Sequence, residues 1–380
     1  MRSFHAPFPC AFCEAPWRTR HGASIIVSMS VALDLTDRAL DALPDDLPPS
    51  LERLVADDNR LTALPPSLGA LTALHTLSID GNQLETLPAS LAELPRLERL
   101  HVRRNRLPAV PNVVARLGGL RDLRLGGNGL TSVPDALWTL HALETLDLSE
   151  NRLTAIPDAI GDLERLTMLD LGHNALTALP ERIGDLTSLA DALYLSDNRL
   201  DALPPSIGRL ARLRYLNATD NRLAALPDTI GGLTRLVELR LYRNQLARLP
   251  ETIGALGALR ELHVMQNALV ELPASIGSLG ALRRLSLQGN RLEALPESIG
   301  GLARLAELDL RDNRLRRLPD TLGGLRELVA LDLRGNRLAE LPHAIATLPK
   351  LEKLDLRWNK PAVYPAWLGE LERRGCAVLR

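Results

Sequence analysis

Two cysteines near the start of the chain have the spacing of a zinc ligand pair or of a redox pair. Cys10 and Cys13 form a C-x-x-C motif, and His5 and His21 lie nearby. Thiolates with imidazoles can hold zinc, and a C-x-x-C pair can also cycle between dithiol and disulfide. A structural zinc site needs further ligands held by a surrounding fold, and no second C-x-x-C occurs in the chain. We therefore assign no metal site.

The remaining residues supply no other catalytic constellation. The chain has no glycine-rich phosphate loop, no kinase catalytic signature, no nucleophile elbow and no HExxH run. Its carboxylates are spread evenly, so no pair stands out for acid/base chemistry. Cys376 stands alone, and we expect it to be a buried packing residue rather than a nucleophile. The sequence predicts a chain that binds and is not an enzyme, without a cofactor.

Composition excludes two classes of partner. With 45 basic and 46 acidic side chains, the formal net charge of −1 provides no general attraction to nucleic acid or to an anionic membrane. The longest apolar stretch, Ser24 to Leu33, is too short to cross a bilayer. We expect no nucleic acid partner, no membrane span and a cytoplasmic monomer.

An asparagine recurs every 23 residues along most of the chain, and each one closes a phrase of the form LxxLxLxxN. One step, from Asn174 to Asn198, is 24 residues. A fixed period of this length predicts a solenoid in which each repeat packs against its neighbours. The series is Asn59, Asn82, Asn105, Asn128, Asn151, Asn174, Asn198, Asn221, Asn244, Asn267, Asn290, Asn313, Asn336 and Asn359.

Each repeat predicts a short strand followed by a helical turn. In the repeat that holds Asn151, Leu146 and Leu148 point inward and alternate with exposed residues, as in a strand. Asn151 turns the chain and bonds backbone groups that would otherwise be buried unpaired. Pro157 can start a helical turn, and Gly161 permits close packing between neighbouring turns. The predicted fold is an α/β repeat solenoid with one parallel sheet and helical or 3-10 segments on the opposite side.

The ends of the chain differ from its middle. Residues 1–28 hold all three phenylalanines and lie outside the period, so we interpret them as a mis-assigned start before Met29 or as a disordered extension. Residues 29–50 are an N-terminal cap with a degenerate first repeat, 51–360 are fourteen repeats, and 361–380 are a C-terminal cap. Within that cap we expect a helix over 364–374 and a last strand over 375–379.

The repeat consensus LxxLxLxxNxLxxLPxxIGxLxx, nearly intact at 143–165 and 236–258, resembles that of the leucine-rich-repeat superfamily. Its class is similar to Sur-8-like Ras-pathway scaffolds, plant intracellular Ras-group-related proteins and bacterial leucine-rich-repeat proteins. The resemblance implies a horseshoe whose concave parallel sheet binds protein. Some bacterial members join such repeats to a ubiquitin-ligase or kinase domain, but the residues around Cys376 do not resemble the ligase active site.

Counting back from each asparagine locates the exposed positions of the predicted sheet. Residues six, four and two before it face outward, since the leucines five and three before it face inward. Three of the four tyrosines fall on such positions in neighbouring repeats, together with basic residues, as in an interface hot spot. We predict a binding surface here for a protein or peptide. Its members are Tyr194, Tyr215, Tyr242, His263, Met265, Arg240 and Arg243.

The 24-residue step lies beside this surface. Ala190 stands where a leucine is expected, and an extra residue in a strand produces a bulge. We expect either such a bulge or a tolerated insertion.

A second surface is basic. One interpretation is a binding surface for an acidic or phosphorylated partner. The other is a solvated face whose charge is partly neutralised by Glu98 and Asp122, and we favour this second interpretation. Further along the chain, between Asp309 and Arg357, three aspartates lie beside three arginines. We expect them to form a surface ion-pair network that contributes little to stability. Trp138 is expected to be an exposed anchor on the convex side. The basic residues are Arg99, His101, Arg103, Arg104, Arg106, Arg121 and Arg124.

Three functions remain open. The first is a non-catalytic scaffold that binds a partner on the concave sheet, with signalling as one such role. The second is a host-directed bacterial effector, secreted without a classical signal peptide. The third is the binding module of a split or truncated ubiquitin ligase or kinase.

Overall fold

The computed structural model describes residues 15–18, 24–27, 31–359 and 364–380. The chain forms two compact units, residues 1–129 and residues 130–380. The Cys10/Cys13 pair lies outside the described residues.

The first unit contains an antiparallel strand pair and a run of parallel strands. β1 (Ala15–Arg18) pairs with β2 (Ser24–Val27), within the segment that precedes the repeats. The next five strands are parallel and form four successive pairs, each strand beside its neighbour in the sequence. They are β3 (Ala32–Asp34), β4 (Arg53–Val55), β5 (Thr76–Ser78), β6 (Arg99–His101) and β7 (Asp122–Arg124).

The second unit continues the same pattern. Its parallel strands place leucine opposite leucine at every repeat step, for example Leu193, Leu216 and Leu239. These strands are β8 (Thr145–Asp147), β9 (Met168–Asp170), β10 (Ala192–Tyr194), β11 (Tyr215–Asn217), β12 (Glu238–Arg240), β13 (Glu261–His263), β14 (Arg284–Ser286), β15 (Glu307–Asp309), β16 (Ala330–Asp332), β17 (Lys353–Asp355) and β18 (Ala377–Leu379).

A short 3-10 segment follows most strands and confirms the expected turn after each proline. Pro227, for example, is extended with φ of −67°, and its carbonyl accepts the N–H of Ile230 at 2.9 Å. Proline suits this place because no partner needs its missing N–H. The segments are Pro66–Ala70, Ala89–Glu93, Val114–Arg116, Asp135–Thr139, Asp158–Asp162, Glu181–Asp185, Pro205–Arg209, Asp228–Gly232, Glu251–Ala255, Ala274–Ser278, Glu297–Gly301, Asp320–Gly324 and His343–Thr347.

The core of each unit is a stack of leucines between the strands and the 3-10 segments. Leu216, Leu223, Leu233 and Ile230 of one repeat have no exposed surface. A leucine buried in this way contributes about 2 kcal/mol. The leucine positions of the consensus are therefore accounted for by packing.

The recurrent asparagines act as the backbone supports that the sequence predicts. The Asn82 amide donates to the carbonyls of Ala56, Ile79 and Asp80 at 2.9–3.1 Å. Its Oδ1 accepts the N–H of Leu61 at 3.0 Å. One side chain thus satisfies four main-chain groups in two successive repeats, which leaves neither of its amide hydrogens for a ligand.

The residue before each asparagine adopts a left-handed backbone conformation. The φ angle is 53° at Asp220 and 54° at Arg243, and glycine takes the same place at Gly289. Few residue types other than glycine, asparagine and aspartate tolerate this region well. The position lies at the edge of the sheet and exposes its side chain.

The C-terminal segment contains a helix and a last strand as expected, but both are shorter than the predicted ranges. Helix α1 (Leu368–Arg373) is followed by β18, which pairs in parallel with β17. Cys376 is 4 % exposed between them, and burial raises the pKa of its thiol. The expectation of a buried packing cysteine is confirmed.

The 24-residue step does not produce a bulge. Ala190 and Asp191 both donate to the carbonyl of Thr167, at 3.2 and 2.9 Å, so the extra residue is taken up before β10 begins. The strand then pairs with β9 and β11 without interruption. The alternative of a tolerated insertion is correct, because Leu189 is fully buried and bonds Leu186 as the leucine eight residues before the asparagine does in neighbouring repeats, so the core keeps its leucine.

The expectation for Trp138 is wrong. Its side chain is 2 % exposed, and its indole N–H has no hydrogen-bond partner among the described residues. Trp138 takes the place of the glycine that packs against the next 3-10 segment, so its ring is enclosed rather than presented to solvent. It cannot serve as an exposed anchor.

Among the described residues, no helix has the length and apolar character that crossing a membrane requires.

Candidate functional site

The predicted binding surface lies on one face of the parallel strands of the second unit. We call this the strand face, and it consists of the side chains six, four and two residues before each asparagine. Six of the predicted residues lie on it, between β10 and the residues just after β13, and Arg243 lies at its edge. The six are Tyr194, Tyr215, Tyr242, His263, Met265 and Arg240. Counting from the asparagines therefore places all seven residues on one continuous part of the sheet.

Two of the tyrosines are in direct contact. The ring centroids of Tyr194 and Tyr215 are 5.2 Å apart, with an angle of 46° between the planes. The guanidinium of Arg240 lies 5.6 Å from the centroid of the Tyr215 ring. Burial raises the pKa of the Tyr215 hydroxyl, against the opposing charge of Arg240. A tilted aromatic pair with a cation over one ring is a preorganised contact surface.

The third tyrosine extends this surface toward the edge of the sheet. Tyr242 is half-buried at the end of β12, and Met265 is half-buried at the equivalent place after β13. Thr219 occupies the same place after β11, where its hydroxyl is buried and has no partner among the described residues. We call Tyr194, Tyr215, Tyr242 and Met265 the aromatic patch.

The basic residues of the predicted surface are already paired within the chain. Arg240 forms an ion pair with Glu238. Arg243 donates to Gln266 at 2.9 Å and lies 3.4 Å from Asp220. His263 Nε2 is 3.2 Å from Glu261. These side chains support the aromatic patch more than they offer free positive charge to a ligand.

Two carboxylates of this network were not among the predicted site residues. Glu238 and Glu261 stand six residues before their asparagines, so the same counting would have found them. Arg284 bridges Glu261 at 3.3 Å and Glu307 at 2.9 Å. The network runs along the sheet from Arg240 to Glu307 as alternating charges.

One group among the described residues has side chains that could together bind a metal ion. It consists of Glu238, Glu261 and His263. Their ligand atoms lie within 4.8 Å of one another. Both carboxylates are held by guanidiniums, from Arg240 and Arg284, which would repel and compete with a cation. The arrangement favours an ion-pair network over a metal centre.

The second predicted surface lies on and beside the strand face of the first unit and is partly neutralised within the chain. His101 and Arg124 both bond Asp122, at 3.0 and 2.9 Å. Asp58 lies 3.4 Å from Arg104. Glu98 lies 3.8 Å from Arg121. The backbone N–H of Arg103 donates to Asp80 at 2.6 Å, and Arg99 and Arg106 are exposed.

This arrangement makes Asp122 a pH-sensitive support of the first unit. Burial alone would raise its pKa, but hydrogen bonds from His101 and Arg124 and their charges lower it to about 2. A carboxylate with a lowered pKa stabilises the fold above its ordinary pKa and loses that contribution as the pH falls through the folded value. We expect about 2 kcal/mol to be lost between pH 4 and pH 2.

Urea unfolding of wild type and Asp122→Asn at pH 5, 4, 3 and 2.5 measures this contribution. The wild type should lose more stability over that range than Asp122→Asn, whose amide does not titrate. Asp46→Asn, at an exposed position of the same unit, should follow the wild type. Equal pH dependence of all three proteins would show that Asp122 carries no such charge interaction.

The aspartate–arginine series near the C-terminal end is more buried than expected. Arg357 binds Asp355 through two hydrogen bonds, at 3.0 and 2.7 Å, and Arg334 lies 3.3 Å from the same carboxylate. Asp355 has no exposed surface. Burial alone would raise its pKa, but the bonds from Arg357 and the charge of Arg334 lower it. These charges are part of the fold and not a free recognition surface.

The 3-10 side of the second unit carries a shallow groove of about 630 Å³. Ser206, Gly208, Thr229 and Thr252 are among its lining residues. Glycine and small hydroxyl residues line it because the consensus places them where neighbouring turns touch. Glu181, Arg209 and Asp228 also line the groove, and its lining residues include none of the aromatic side chains typical of a ligand pocket.

A family model described as leucine rich repeat matches residues 49–107, 118–176, 190–246, 257–315 and 303–360. A search of curated proteins finds no match.

Three solved structures show the range of similar proteins. A leucine-rich-repeat protein of Leptospira interrogans is 33 % identical, with a TM-score of 0.83, over 91 % of this chain and 94 % of that one. A leucine-rich effector protein of Yersinia pestis is 28 % identical, with a TM-score of 0.70, over 93 % and 88 %. A plant peptide hormone receptor in complex with the peptide RGF2 is 26 % identical, with a TM-score of 0.58, over 91 % and 68 %.

These matches agree with the leucine-rich core, the asparagine supports and the parallel strands described above. Proteins of this kind generally act as protein–protein interaction modules. The chain belongs to the leucine-rich-repeat family.

Proposed function

We propose that this protein is a non-catalytic scaffold that binds a protein or an extended peptide on the strand face between β10 and β13. The observation that carries the proposal is the aromatic patch, with the Tyr194 and Tyr215 rings 5.2 Å apart on an open sheet. Half-buried aromatic residues held in place by neighbours are the usual centre of a binding hot spot. A role in cytoplasmic signalling, as in the Sur-8-like repeat class, is part of this proposal.

The rest of the strand face supports this choice by contrast. Two members of the basic surface of the first unit, His101 and Arg124, are bonded to Asp122, and the arginines near the C-terminal end are paired with aspartates of which Asp355 is fully buried. The aromatic patch instead presents half-buried aromatic surface at Tyr194 and Tyr242, and Arg240 lies over the Tyr215 ring between them. The plant peptide hormone receptor similar to this chain is solved with a bound peptide, which agrees with peptide binding by this repeat fold.

Replacing Tyr194, Tyr215 and Tyr242 together by alanine should abolish partner binding while the fold is kept. Loss of three aromatic contacts is expected to weaken binding by at least about 100-fold, since single hot-spot residues contribute about 2 kcal/mol or more. Crosslinking of the tagged full chain in the producing cells, followed by mass spectrometry, compares the captured proteins. Circular dichroism and urea unfolding verify the fold, and Tyr242→Ala alone serves as a milder variant.

The matched control replaces exposed aromatics elsewhere. Trp358 and Tyr364 are 71 % and 36 % exposed and lie away from the patch in the sequence. Trp358→Ala with Tyr364→Ala should retain the partners. If the folded triple tyrosine variant also retains every partner, the site assignment is wrong.

A second candidate function is a host-directed bacterial effector secreted without a classical signal peptide. The similarity to the Yersinia pestis effector over most of both chains favours it. The binding surface would be the same, and only the place of action would differ. Immunodetection in the medium of intact producing cells supports this candidate, whereas retention of all the protein inside them rejects it.

A further inference from the structure

The repeats beside the aromatic patch carry acidic residues on the strand face and at its edges. The seven residues before Asn151, Asn174 and Asn198 hold six carboxylates and no lysine or arginine. Asp191 and Asp197 among them are exposed, and Asp170 is half-buried next to Tyr194 in the strand register. Asp220 follows at the end of the next repeat. We call Asp170, Asp191, Asp197 and Asp220 the acidic flank.

Internal cations only partly offset this charge. His173 Nδ1 lies 2.8 Å from Asp197, and Arg243 lies 3.4 Å from Asp220. Four segments consist of the seven residues before each of Asn174, Asn198, Asn221 and Asn244. Together these four segments hold five carboxylates and three guanidiniums. One of these guanidiniums, that of Arg240, is already paired with Glu238. The surface that a partner meets on this side is therefore negative.

One ring of the aromatic patch is already in contact with a cation of the same chain. Arg240 lies over the Tyr215 ring and is also ion-paired to a carboxylate. Tyr194 has the same elements around it, a ring on the strand face with the carboxylate of Asp170 on the neighbouring strand. A cation placed over an aromatic ring and close to a carboxylate gains from both interactions.

We propose that the partner carries a basic segment, with lysine or arginine side chains over Tyr194 and the acidic flank and apolar side chains over Tyr215, Tyr242 and Met265. This inference rests on the proposed function, because it names the chemistry of the partner at the same surface. An acidic or phosphorylated segment would face like charges at Asp191 and Asp197, which disfavours its binding.

A random dodecapeptide display library tests the proposal on the immobilised full chain. Peptides are selected on wild type after removal of those that bind the triple tyrosine variant. We expect the selected peptides to be enriched in lysine and arginine and depleted in aspartate and glutamate. Their affinity should fall about ten-fold between 50 and 300 mM salt, because exposed charge pairs are screened.

A matched pair of double variants isolates the acidic flank. Asp197 and Asp220 both have left-handed φ angles, of 51° and 53°, and asparagine tolerates this conformation well. Asp197→Asn with Asp220→Asn should weaken the selected peptides about ten-fold. Asp58 and Asp312 take the same place in other repeats, with φ of 53° and 54°. Asp58→Asn with Asp312→Asn should change affinity by less than about two-fold.

The outcomes separate the two proposals. Selected peptides without an excess of lysine and arginine, or with equal affinity for both double variants, would overturn the basic partner but leave the aromatic patch as the site. If no peptide distinguishes wild type from the folded triple tyrosine variant, both the binding surface and its charge preference are wrong.

Discussion

Replacing Asn313 by alanine is expected to lower the free energy of unfolding by about 3–5 kcal/mol. The Asn313 side chain is 6 % exposed. Its amide donates to the carbonyls of Leu287, Leu310 and Arg311 at 3.0–3.1 Å, and its Oδ1 accepts the N–H of Leu292 at 3.1 Å. Alanine leaves these backbone groups without a partner, inside a structure that water does not reach easily.

The matched control is Asn217→Ala. Asn217 lies on the strand face, half-buried, and its Oδ1 accepts the N–H of Thr219 at 3.1 Å. We expect its loss to cost less than about 1 kcal/mol. Asn313→Asp should be at least as damaging as alanine, because a carboxylate would face three carbonyl oxygens. Urea unfolding followed by circular dichroism gives the comparison, and equal stability of Asn313→Ala and Asn217→Ala would refute the support role of the asparagine.

The second large effect is expected at Gly208, in the 3-10 segment of residues 205–209. A Cβ there would lie 2.2 Å from the carbonyl oxygen of Thr229 and 2.8 Å from its Cβ. The oxygen belongs to the backbone of the next turn, so relief requires two repeats to move apart. We expect Gly208→Ala to cost about 2–3 kcal/mol through overpacking.

Two further glycines provide a graded control. A Cβ on Gly323 would meet its nearest neighbour, the Thr347 hydroxyl, at 3.2 Å, and a Cβ on Gly257 would meet nothing within 4 Å. Gly323→Ala should therefore cost less than Gly208→Ala. Gly257→Ala should be neutral or stabilising by about 0.5 kcal/mol, because alanine restricts the unfolded chain. Thermal unfolding of the three variants ranks them, and a destabilised Gly257→Ala with an unchanged Gly208→Ala would contradict this account.

The wrong expectation for Trp138 shares its physical origin with the glycine prediction. In the repeat consensus the glycine belongs to the segment opposite the sheet, so the sequence suggests that this position is exposed to solvent. Contacts such as that of Gly208 with Thr229 show that this place is between turns and is filled from the next repeat. A large side chain there is enclosed, as Trp138 is, because the spacing of the turns leaves it no route to solvent.

Local patterns predicted the repeats well. Leucine spacing, asparagine and proline each meet a need within one repeat or between adjacent repeats, so counting along the chain was sufficient for the strands, the supports and the 3-10 turns. Of the two alternatives for the 24-residue step, the tolerated insertion is the one observed, because the loop before β10 absorbs the extra residue, with Ala190 and Asp191 bonded to Thr167. Sequence alone could not distinguish a strand insertion from a loop insertion.

The sequence by itself determined which residues occupy the strand face, and it placed Tyr194, Tyr215 and Tyr242 together, because a constant period makes every outward position a matter of counting. Only the tertiary structure decided which charges on that face are used internally. Arg240, Arg243 and His263 are held by neighbours, while Asp191 stays exposed beside the aromatic patch. Ion pairs across strands depend on distances of a few ångström between side chains about 23 residues apart, and no periodicity in the sequence contains those distances.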